Sequence, residues 1–363
     1  MKVYPLKSMT VEQAQEKQFK LVDCLTRNLD GQELLSRGDL GVNKLENKPV
    51  YTSKIEKAIA QFFDAQDALF VRGAGTGAIR YGLAAIANSG DKILIHDAPV
   101  YATTQTTIEM FGLKTVCADF NNLEDIKEVL EENKDIKAAL VQHSRQLPED
   151  SYDLAEVIKA IKDTADIPVL VDDNYAAMKV EKIGCQLNAD LSCFSCFKLL
   201  GPEGIGLVVG NAQYIAKIKK MHYSGGTQVQ GHEALDAIRG LIYAPVQLAI
   251  SANELENVLA RIGEVKGVKD AYIANAQSKV LLVELEKPIA QKVIEEAVKR
   301  GALPNPVGSE SKYELTPLFY KASGTFLKQN PELIDTMVRI NPNRAGADTI
   351  IRIISESVEA ASK

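Results

Sequence analysis

In the stretch 69-LFVRGAGTGAIRYGL-83, an apolar run, a glycine-rich turn and an alanine-rich segment follow one another directly. Residues 68–71 predict the end of a buried strand, and residues 79–87 predict a helix. The turn between them, residues 73–78, contains three glycines, which let the backbone approach a ligand closely. A glycine turn that leads from a strand into a helix places backbone N–H groups around an anion. The stretch therefore predicts a phosphate-binding site at the start of a helix.

Outward from this stretch, apolar runs that predict strands alternate with amphipathic segments that predict helices. The predicted strands are 68–71, 92–97, 137–142, 168–173, 190–195 and 205–210, and the predicted helices include 51–64, 122–133 and 153–165. This alternation predicts an α/β fold, a doubly wound and mostly parallel sheet with helices on both faces. The connection from Ser195 to Ile205 is too short for a helical crossover, so we expect the last strand to run antiparallel.

The C-terminal part of the chain predicts a smaller α+β domain after a long apolar helix. The helix covers 234–262, the strands are 270–274, 279–285 and 336–341, and the further helices are 288–300 and 347–361. We expect a large domain at 51–245 and a small domain at 246–363. Residues 1–50 would form a helical and looped segment that packs on the small domain.

Composition excludes several classes of protein. The chain has 363 residues, of which 46% are hydrophobic, and a formal net charge of −6. A chain without basic excess is not expected to bind nucleic acid. Because the sequence contains neither an apolar leader nor an apolar run long enough to span a membrane, we expect a cytoplasmic protein without membrane contact. Five scattered cysteines are typical of reduced thiols.

A lysine, an acid and an aromatic residue stand near the predicted ends of the strands. Lys198 lies among apolar residues between two strands, where desolvation would lower its pKa and make its amine a nucleophile. Asp172 follows the apolar run 169–171, at the carboxyl end where parallel sheets bind ligands. Tyr101 follows the second predicted strand. An amine, a carboxylate, an aromatic ring and a phosphate cradle are the four groups that pyridoxal phosphate uses.

The sequence resembles the fold-type I pyridoxal-phosphate enzymes, close to the class V aminotransferase, selenocysteine synthase-like and cystathionine lyase-like groups. The similarity runs from about residue 51 to the C-terminus and is carried by 195-SCFK-198 and 199-LLGPEGIGLVVG-210. The resemblance implies that Lys198 binds the cofactor as a Schiff base and then acts as general base at Cα. It also implies that Asp172 holds the pyridine nitrogen protonated.

The resemblance assigns further residues to the cofactor and the substrate. The phosphate would be bound by Gly75, Thr76, Gly77 and Ser195, and the ring would be stacked on Tyr101.

Further along the chain, Gly226 and Thr227 in 223-YSGGTQ-228 resemble the segment that completes the neighbouring subunit's phosphate site, which implies a homodimer with shared active sites. Arg339 matches the arginine that holds the substrate carboxylate, with Arg344 second.

Two residues after the predicted strand 137–142 also point towards this site. His143 and Arg145 would lie at its carboxyl end, on the expected active-site edge. His143 is a candidate contact for the cofactor and Arg145 for the substrate.

The reaction is left open by these residues. An amino acid or amine substrate fits transamination (an aminotransferase), β-elimination (a carbon–sulfur lyase) or racemisation, because each begins from the same proton abstraction. A different class of function rests on the letters G-x-G-x-x-A at residues 73–78 with Asp97, which match the fingerprint of NAD-binding Rossmann oxidoreductases. A non-catalytic pyridoxal-phosphate-binding protein is the third alternative.

Overall fold

The computed structural model describes residues 3–274, 279–308, 310–322, 326–327 and 330–363. The chain forms two compact units. The larger contains Glu12–His143 and Ser151–Pro245, and the smaller contains Met1–Val11, Ser144–Asp150 and Val246–Lys363.

The larger unit is built on a seven-stranded sheet with the order β1-β7-β6-β5-β4-β2-β3. Its strands are β1 (Asp67–Arg72), β2 (Lys92–His96), β3 (Lys114–Ala118), β4 (Ile136–Gln142), β5 (Val169–Asp172), β6 (Leu191–Ser195) and β7 (Ile205–Gly210). Strand β7 is antiparallel to both of its neighbours, and the other pairs are parallel. The predicted fold class and the predicted antiparallel return strand are confirmed.

Helices cover both faces of this sheet. Those of the larger unit are α1 (Val11–Thr26), α2 (Val50–Phe62), α3 (Ala74–Ile86), α4 (Ala102–Met110), α5 (Leu123–Glu132), α6 (Leu154–Thr164), α7 (Ala212–Met221) and the first part of α8 (Gly231–Ile262), as far as Pro245. Successive residues of β5 show why the sheet needs helices on both of its faces. Leu170 packs with Leu83 of α3, whereas Val171 packs with Ile158 of α6, because neighbouring strand residues point to opposite faces.

Helix α3 begins at Ala74, five residues earlier than the sequence predicted. Gly73 has a φ of 96°, a left-handed conformation that suits glycine and turns the chain directly from β1 into the helix. The N–H groups of Gly73 and Ala74 both donate to the carbonyl of Gly204, at 2.8 and 3.1 Å. Residues 74–77 therefore form the first turn of the helix rather than a separate loop.

Residues 12–50 belong to the larger unit, whereas we expected all of residues 1–50 to pack on the small domain. Helix α1 is held to the larger unit by Lys17, whose amine donates to the carbonyls of Val180 and Glu181 at 2.8 and 2.9 Å. The other predicted domain boundaries stay predictions.

The smaller unit contains a four-stranded antiparallel sheet with the order β10-β11-β9-β8. Its elements are β8 (Val268–Ala274), β9 (Val280–Leu285), α9 (Ala290–Lys299), β10 (Leu318–Lys321), β11 (Met337–Asn341) and α10 (Ala347–Ala361). Val283 and Ile340 of the sheet pack with Val293 of α9 and Ile354 of α10. This unit matches the predicted α+β unit except for β10, which the sequence did not predict.

None of the described helices combines the length and the apolar character that a membrane crossing requires.

Candidate active site

Sheet topology brings four chain segments to one edge of the larger sheet. Arg72 pairs with Ile205, Ser195 with Gly206, and Gln142 with Asp172. Strands β1, β6, β5 and β4 therefore all end at the edge where β7 begins. Asp172 is the last residue of β5, and the segments that follow the other three strands carry the glycine turn, Lys198 and His143, so the predicted residues come from a single edge of the sheet.

The glycine turn presents the N-terminus of α3 at this edge. Helix geometry leaves the N–H groups of Gly75 and Thr76 without acceptors inside the helix, where they can bind an anion. A Cβ atom on Gly77 would lie 2.0 Å from the carbonyl oxygen of Arg72, and one on Gly75 would lie 2.3 Å from the side-chain oxygen of Asn174. Glycine is thus required at both positions by close approach.

Tyr101 is held beside this turn by the start of α4. The hydroxyls of Thr76 and Thr103 lie 3.1 Å apart and join the first turns of α3 and α4. Tyr101 stands at the N-cap of α4 and is 43% exposed. Its ring is accessible, as a stacking partner for a planar ligand must be.

The two acids at the end of β5 have different surroundings. Asp173 is fully buried, with a carboxylate oxygen 2.6 Å from Nδ1 of His143 and the other oxygen accepting from the N–H of Gly184 at 3.1 Å. Asp172 instead accepts two hydrogen bonds on Oδ1, from the backbone N–H and the side-chain amide of Asn174, at 3.0 and 2.8 Å. Asp173 is therefore committed to internal contacts, and Asp172 is the better candidate for a ligand.

Burial and charge act in opposite directions on Asp172. Burial raises the pKa of the Asp172 carboxyl, while the hydrogen bonds from Asn174 and the positive charge of Lys198 oppose that rise. The acid thus depends on its neighbours to remain ionised.

His143 is buried and oriented by its acidic partner. Its backbone N–H donates to the carbonyl of Asp172 at 3.0 Å, and its Nδ1 contacts Asp173 at 2.6 Å. In the neutral ring this contact assigns the proton to Nδ1 and leaves Nε2 as an acceptor.

Lys198 lies on a single helical turn, Phe197–Leu199, between β6 and β7. Its amine is 3.6 Å from the centroid of the Tyr175 ring, a cation–π contact that holds the side chain in place. Tyr175 has a φ of 66° and Leu200 a φ of 63°, both left-handed values that are uncommon for residues other than glycine. Strained backbone of this kind concentrates at functional sites. Tyr175 was not among the predicted site residues, because a tyrosine three residues after a strand carries no distinctive signal.

Asn174 is a second residue of the candidate site that was not predicted. Besides its two hydrogen bonds to Asp172, its side-chain oxygen accepts from the backbone N–H of Ser195 at 3.0 Å. It therefore connects the acid to the strand that precedes Lys198. The order Asp-x-Asn after a strand is typical of an Asx turn, which is the signal that could have identified it.

Gly226 and Thr227 lie in a short turn of the larger unit, Gly225–Thr227. Gly226 is exposed, and the hydroxyl of Thr227 donates to the carbonyl of Ser224 at 2.6 Å. The segment that follows is anchored by Arg72, which donates to the carbonyl of Gln228 at 3.1 Å. The turn is thus presented at the surface of the chain.

The three candidate arginines all belong to the smaller unit. Arg339 is 1% exposed, and its guanidinium carbon lies 4.7 Å from the centroid of the Tyr320 ring. Arg344 is less buried and donates to the carbonyls of Glu310 and Asn343, each at 3.2 Å. Arg145 donates to the carbonyl of Tyr4 at 2.8 Å. Their roles towards a substrate stay predictions.

The chemistry of the larger unit's edge fits pyridoxal 5'-phosphate. It provides a lysine amine, a buried carboxylate held by hydrogen-bond donors, an accessible aromatic ring and a helix N-terminus. These groups match in turn the cofactor's aldehyde, ring nitrogen, ring face and phosphate.

Comparisons with known proteins establish the family. Residues 47–277 match the model of the Cys/Met metabolism PLP-dependent enzyme family, and residues 253–354 match the YhfS-like, C-terminal domain. The chain belongs to the Cys/Met metabolism PLP-dependent enzyme family, and its cofactor is pyridoxal 5'-phosphate. Within this class it is similar to the uncharacterized protein YhfS of Escherichia coli (strain K12), with 53% identity over 99% of each chain.

Solved structures show the same relationship. A crystal structure of the pyridoxal-5'-phosphate dependent protein YhfS from Escherichia coli has a TM-score of 0.97 and 52% identity, and the match covers 99% of this chain and 100% of that one. A carbon-sulfur lyase involved in aluminum resistance from Clostridium novyi NT has a TM-score of 0.71 at 17% identity, covering 96% of this chain and 90% of that one. At this lower identity, the likeness shows the shared fold alone.

Proposed function

We propose that this enzyme is an amino-acid lyase that breaks a carbon–sulfur bond, with Lys198 and Asp172 as its catalytic residues. The observation that carries the proposal is the common sheet edge from which Lys198, Asp172 and the N-terminus of α3 all project. The choice of a sulfur-containing amino acid is supported by the description of the family, which refers to cysteine and methionine metabolism.

When bound, the cofactor supplies an aldehyde for the lysine amine and a ring that withdraws electrons from the substrate Cα. The amine of Lys198 takes the proton from Cα as general base and can return a proton to the departing sulfur. The carboxylate of Asp172 holds a proton on the ring nitrogen. Tyr175 keeps the amine of Lys198 near the edge of the sheet through the 3.6 Å cation–π contact.

Binding is assigned to residues around this pair. Gly75, Thr76 and Gly77 form the phosphate-binding turn with the hydroxyl of Ser195, and Tyr101 stacks on the ring. The N–H groups of Gly75 and Thr76 face the phosphate, while the N–H of Gly77 donates to the carbonyl of Gly73 at 2.8 Å and closes the turn. His143 contacts the cofactor or the substrate through Nε2, which its contact with Asp173 leaves as an acceptor.

The substrate carboxylate is assigned to Arg339, with Arg344 and Arg145 as the next candidates. A guanidinium pairs with a carboxylate through two parallel hydrogen bonds, which a lysine cannot reproduce.

The assembly that we propose is a homodimer in which the exposed turn at Gly226 and Thr227 completes the phosphate site of the neighbouring subunit. Sedimentation of the purified holoenzyme tests it, and a monomer at assay concentration would contradict it.

The test of the reaction is a product panel with the purified holoenzyme and individual amino acids. Elimination from a cysteine thioether consumes one water and gives a thiol, a 2-oxo acid and ammonia in equal amounts. We expect these three products, with no requirement for an amino acceptor. A 2-oxo acid that keeps the sulfur and forms only with an amino acceptor would instead identify an aminotransferase, and loss of optical activity alone would identify a racemase.

A further inference from the structure

We propose that Asn174 is a positioning residue that keeps Asp172 ionised and correctly oriented for the cofactor's ring nitrogen. The inference rests on the proposed role of Asp172 and adds a residue that the mechanism above does not use. It is carried by three contacts of one side chain and its own backbone.

Asn174 surrounds one oxygen of Asp172 with donors. The backbone N–H at 3.0 Å and the side-chain amide at 2.8 Å both donate to Oδ1. Hydrogen bonds to a charged acceptor are about twice as strong as those between neutral groups. Because Asp172 is 7% exposed, water contributes little to its solvation, and these two donors replace it.

The contact with Ser195 fixes which way the amide of Asn174 faces. The side-chain oxygen accepts from the N–H of Ser195 at 3.0 Å, so the NH₂ group is directed towards Asp172. A flipped amide would bring its NH₂ group against the N–H of Ser195 and its oxygen against the carboxylate, losing both contacts. The N–H of Ser195 in β6 therefore determines that a donor, rather than an acceptor, faces the carboxylate of Asp172.

Gly75 leaves the space that this arrangement needs. A Cβ atom there would lie 2.3 Å from the oxygen and 2.6 Å from the nitrogen of the Asn174 amide. The first turn of α3 thus packs directly on the amide, which confines it between the phosphate cradle and the acid. Asn174 connects three parts of the proposed site that are far apart in the sequence.

A neutral carboxylic acid cannot stabilise a protonated ring nitrogen by charge. If Asn174 is removed, burial would favour the neutral form of Asp172, because burial already raises the pKa of this group and Asn174 opposes the rise. The effect should be specific for ligands that carry a ring nitrogen.

The experiment compares the binding of two ligands to the apoenzyme, without any turnover. The ligands are pyridoxal phosphate and its 1-deaza analogue, which keeps the aldehyde and the phosphate but has a C–H group in place of the ring nitrogen. The quantity measured is the ratio of their dissociation constants at fixed pH. The variants are Asn174→Asp, Asn174→Ala and Asn174→Ser, with Asp172→Asn as the reference for loss of the acid.

The variants separate the contacts of Asn174. Asn174→Asp keeps an oxygen for the N–H of Ser195 but replaces the donor to Asp172 by a negative charge, so we expect the preference for pyridoxal phosphate to fall roughly tenfold. Asn174→Ala retains the backbone donor, so a loss of about three- to tenfold is expected. Asn122→Asp is the matched control, because the side chain of Asn122 accepts from the N–H of Glu124 and an aspartate can do the same.

The outcomes distinguish this inference from the proposed function. If both ligands lose affinity by the same factor in all three Asn174 variants, Asn174 is only structural and the inference is wrong. If Asp172→Asn keeps the preference, the proposed role of Asp172 itself is wrong. A second readout is the pH profile of this ratio. As the pH is lowered, Asn174→Ala should lose its preference for pyridoxal phosphate at a higher pH than the wild type does.

Discussion

The carboxyl edge of the larger sheet and strand β11 of the smaller unit both bury charged side chains, but in different surroundings. At the edge, Asp172 is surrounded by donors and the amine of Lys198 lies against the face of Tyr175. In the smaller unit, Arg339 is 1% exposed beside Tyr320. At the edge, Asp172 and Lys198 stand at or just after the ends of strands, whereas the guanidinium of Arg339 is enclosed beside an aromatic ring.

A buried acid in the smaller unit illustrates the contrast. Glu314 is fully buried, and its two oxygens accept from the N–H groups of Val307 and Ser311, each at 2.8 Å. These contacts organise backbone rather than a ligand. A buried charged residue therefore marks a candidate catalytic site only when its partners leave it within reach of another molecule.

Removal of the Lys198 amine should lower turnover more than any of the other changes. We expect Lys198→Ala to lower turnover roughly 10³-fold or more, because both the attachment of the cofactor and the general base are lost. Borohydride treatment of the wild type should fix the cofactor to the peptide that contains Lys198. Lys182→Ala, which removes an exposed lysine of the same unit, is the matched control. Attachment at a different lysine would contradict the proposed site.

Substitution of the two neighbouring acids at the end of β5 should affect different properties, catalysis for one and stability for the other. Asp172→Asn should keep the fold and lower turnover by roughly 10²–10³, since the ring nitrogen loses its anionic partner. Asp173→Asn should instead lower the free energy of unfolding by about 1–3 kcal/mol, because the buried contacts with His143 and Gly184 are disturbed. Urea unfolding and turnover measured on both variants check this. Full activity in Asp172→Asn would show that the wrong acid was chosen.

Arg339 tests whether the smaller unit contributes to substrate binding. If Arg339 holds the substrate carboxylate, Arg339→Lys should weaken binding of an α-amino acid by roughly 2–4 kcal/mol and leave a simple amine almost unaffected. If it is enclosed for stability alone, the variant should lose stability with an unchanged ratio between the two substrates. Arg344→Lys is the matched comparison, since Arg344 is the less buried of the two. The ratio of kcat/KM values for the two substrates decides between these outcomes.

Much of the fold could be predicted because apolar runs specify buried strands. Strands β4 to β7 are flanked by helices or other strands on both sides, and their sequences are correspondingly apolar. The edge strand β3 was missed because its sequence, 114-KTVCA-118, is mostly exposed and contains no continuous apolar run. The start of α3 was missed because glycines indicate a turn, although here only Gly73 adopts one.

The positions of Asp172 and Lys198 at the carboxyl edge of the sheet could be predicted, because each stands at or just after the end of an apolar run. Asn174 and Tyr175 were not identified, because their roles come from contacts with residues far away in the sequence. The enclosure of Arg339 was equally unpredictable, since a single arginine within the strand 337-MVRIN-341 does not show what will cover it. Side-chain burial depends on packing between elements, which a local pattern does not contain.

The smallest expected effect is the response to NAD(H) and NADP(H), which should be none. The letters G-x-G-x-x-A suggest a dinucleotide site, and that site would need Asp97 near the same helix N-terminus. In this sheet β1, which leads into α3, and β2, which leads to Asp97, are separated by four other strands. In the dinucleotide-binding fold, the strand that leads into the glycine turn lies next to the strand that carries the ribose-binding acid, so the strand order here is a different one. We therefore expect no thermal shift at nucleotide concentrations that saturate ordinary dehydrogenases, and a clear stabilisation of the apoenzyme by pyridoxal phosphate in the same assay. A shift with either nucleotide that pyridoxal phosphate abolishes would show that the edge binds both, and that the strand order does not exclude a dinucleotide.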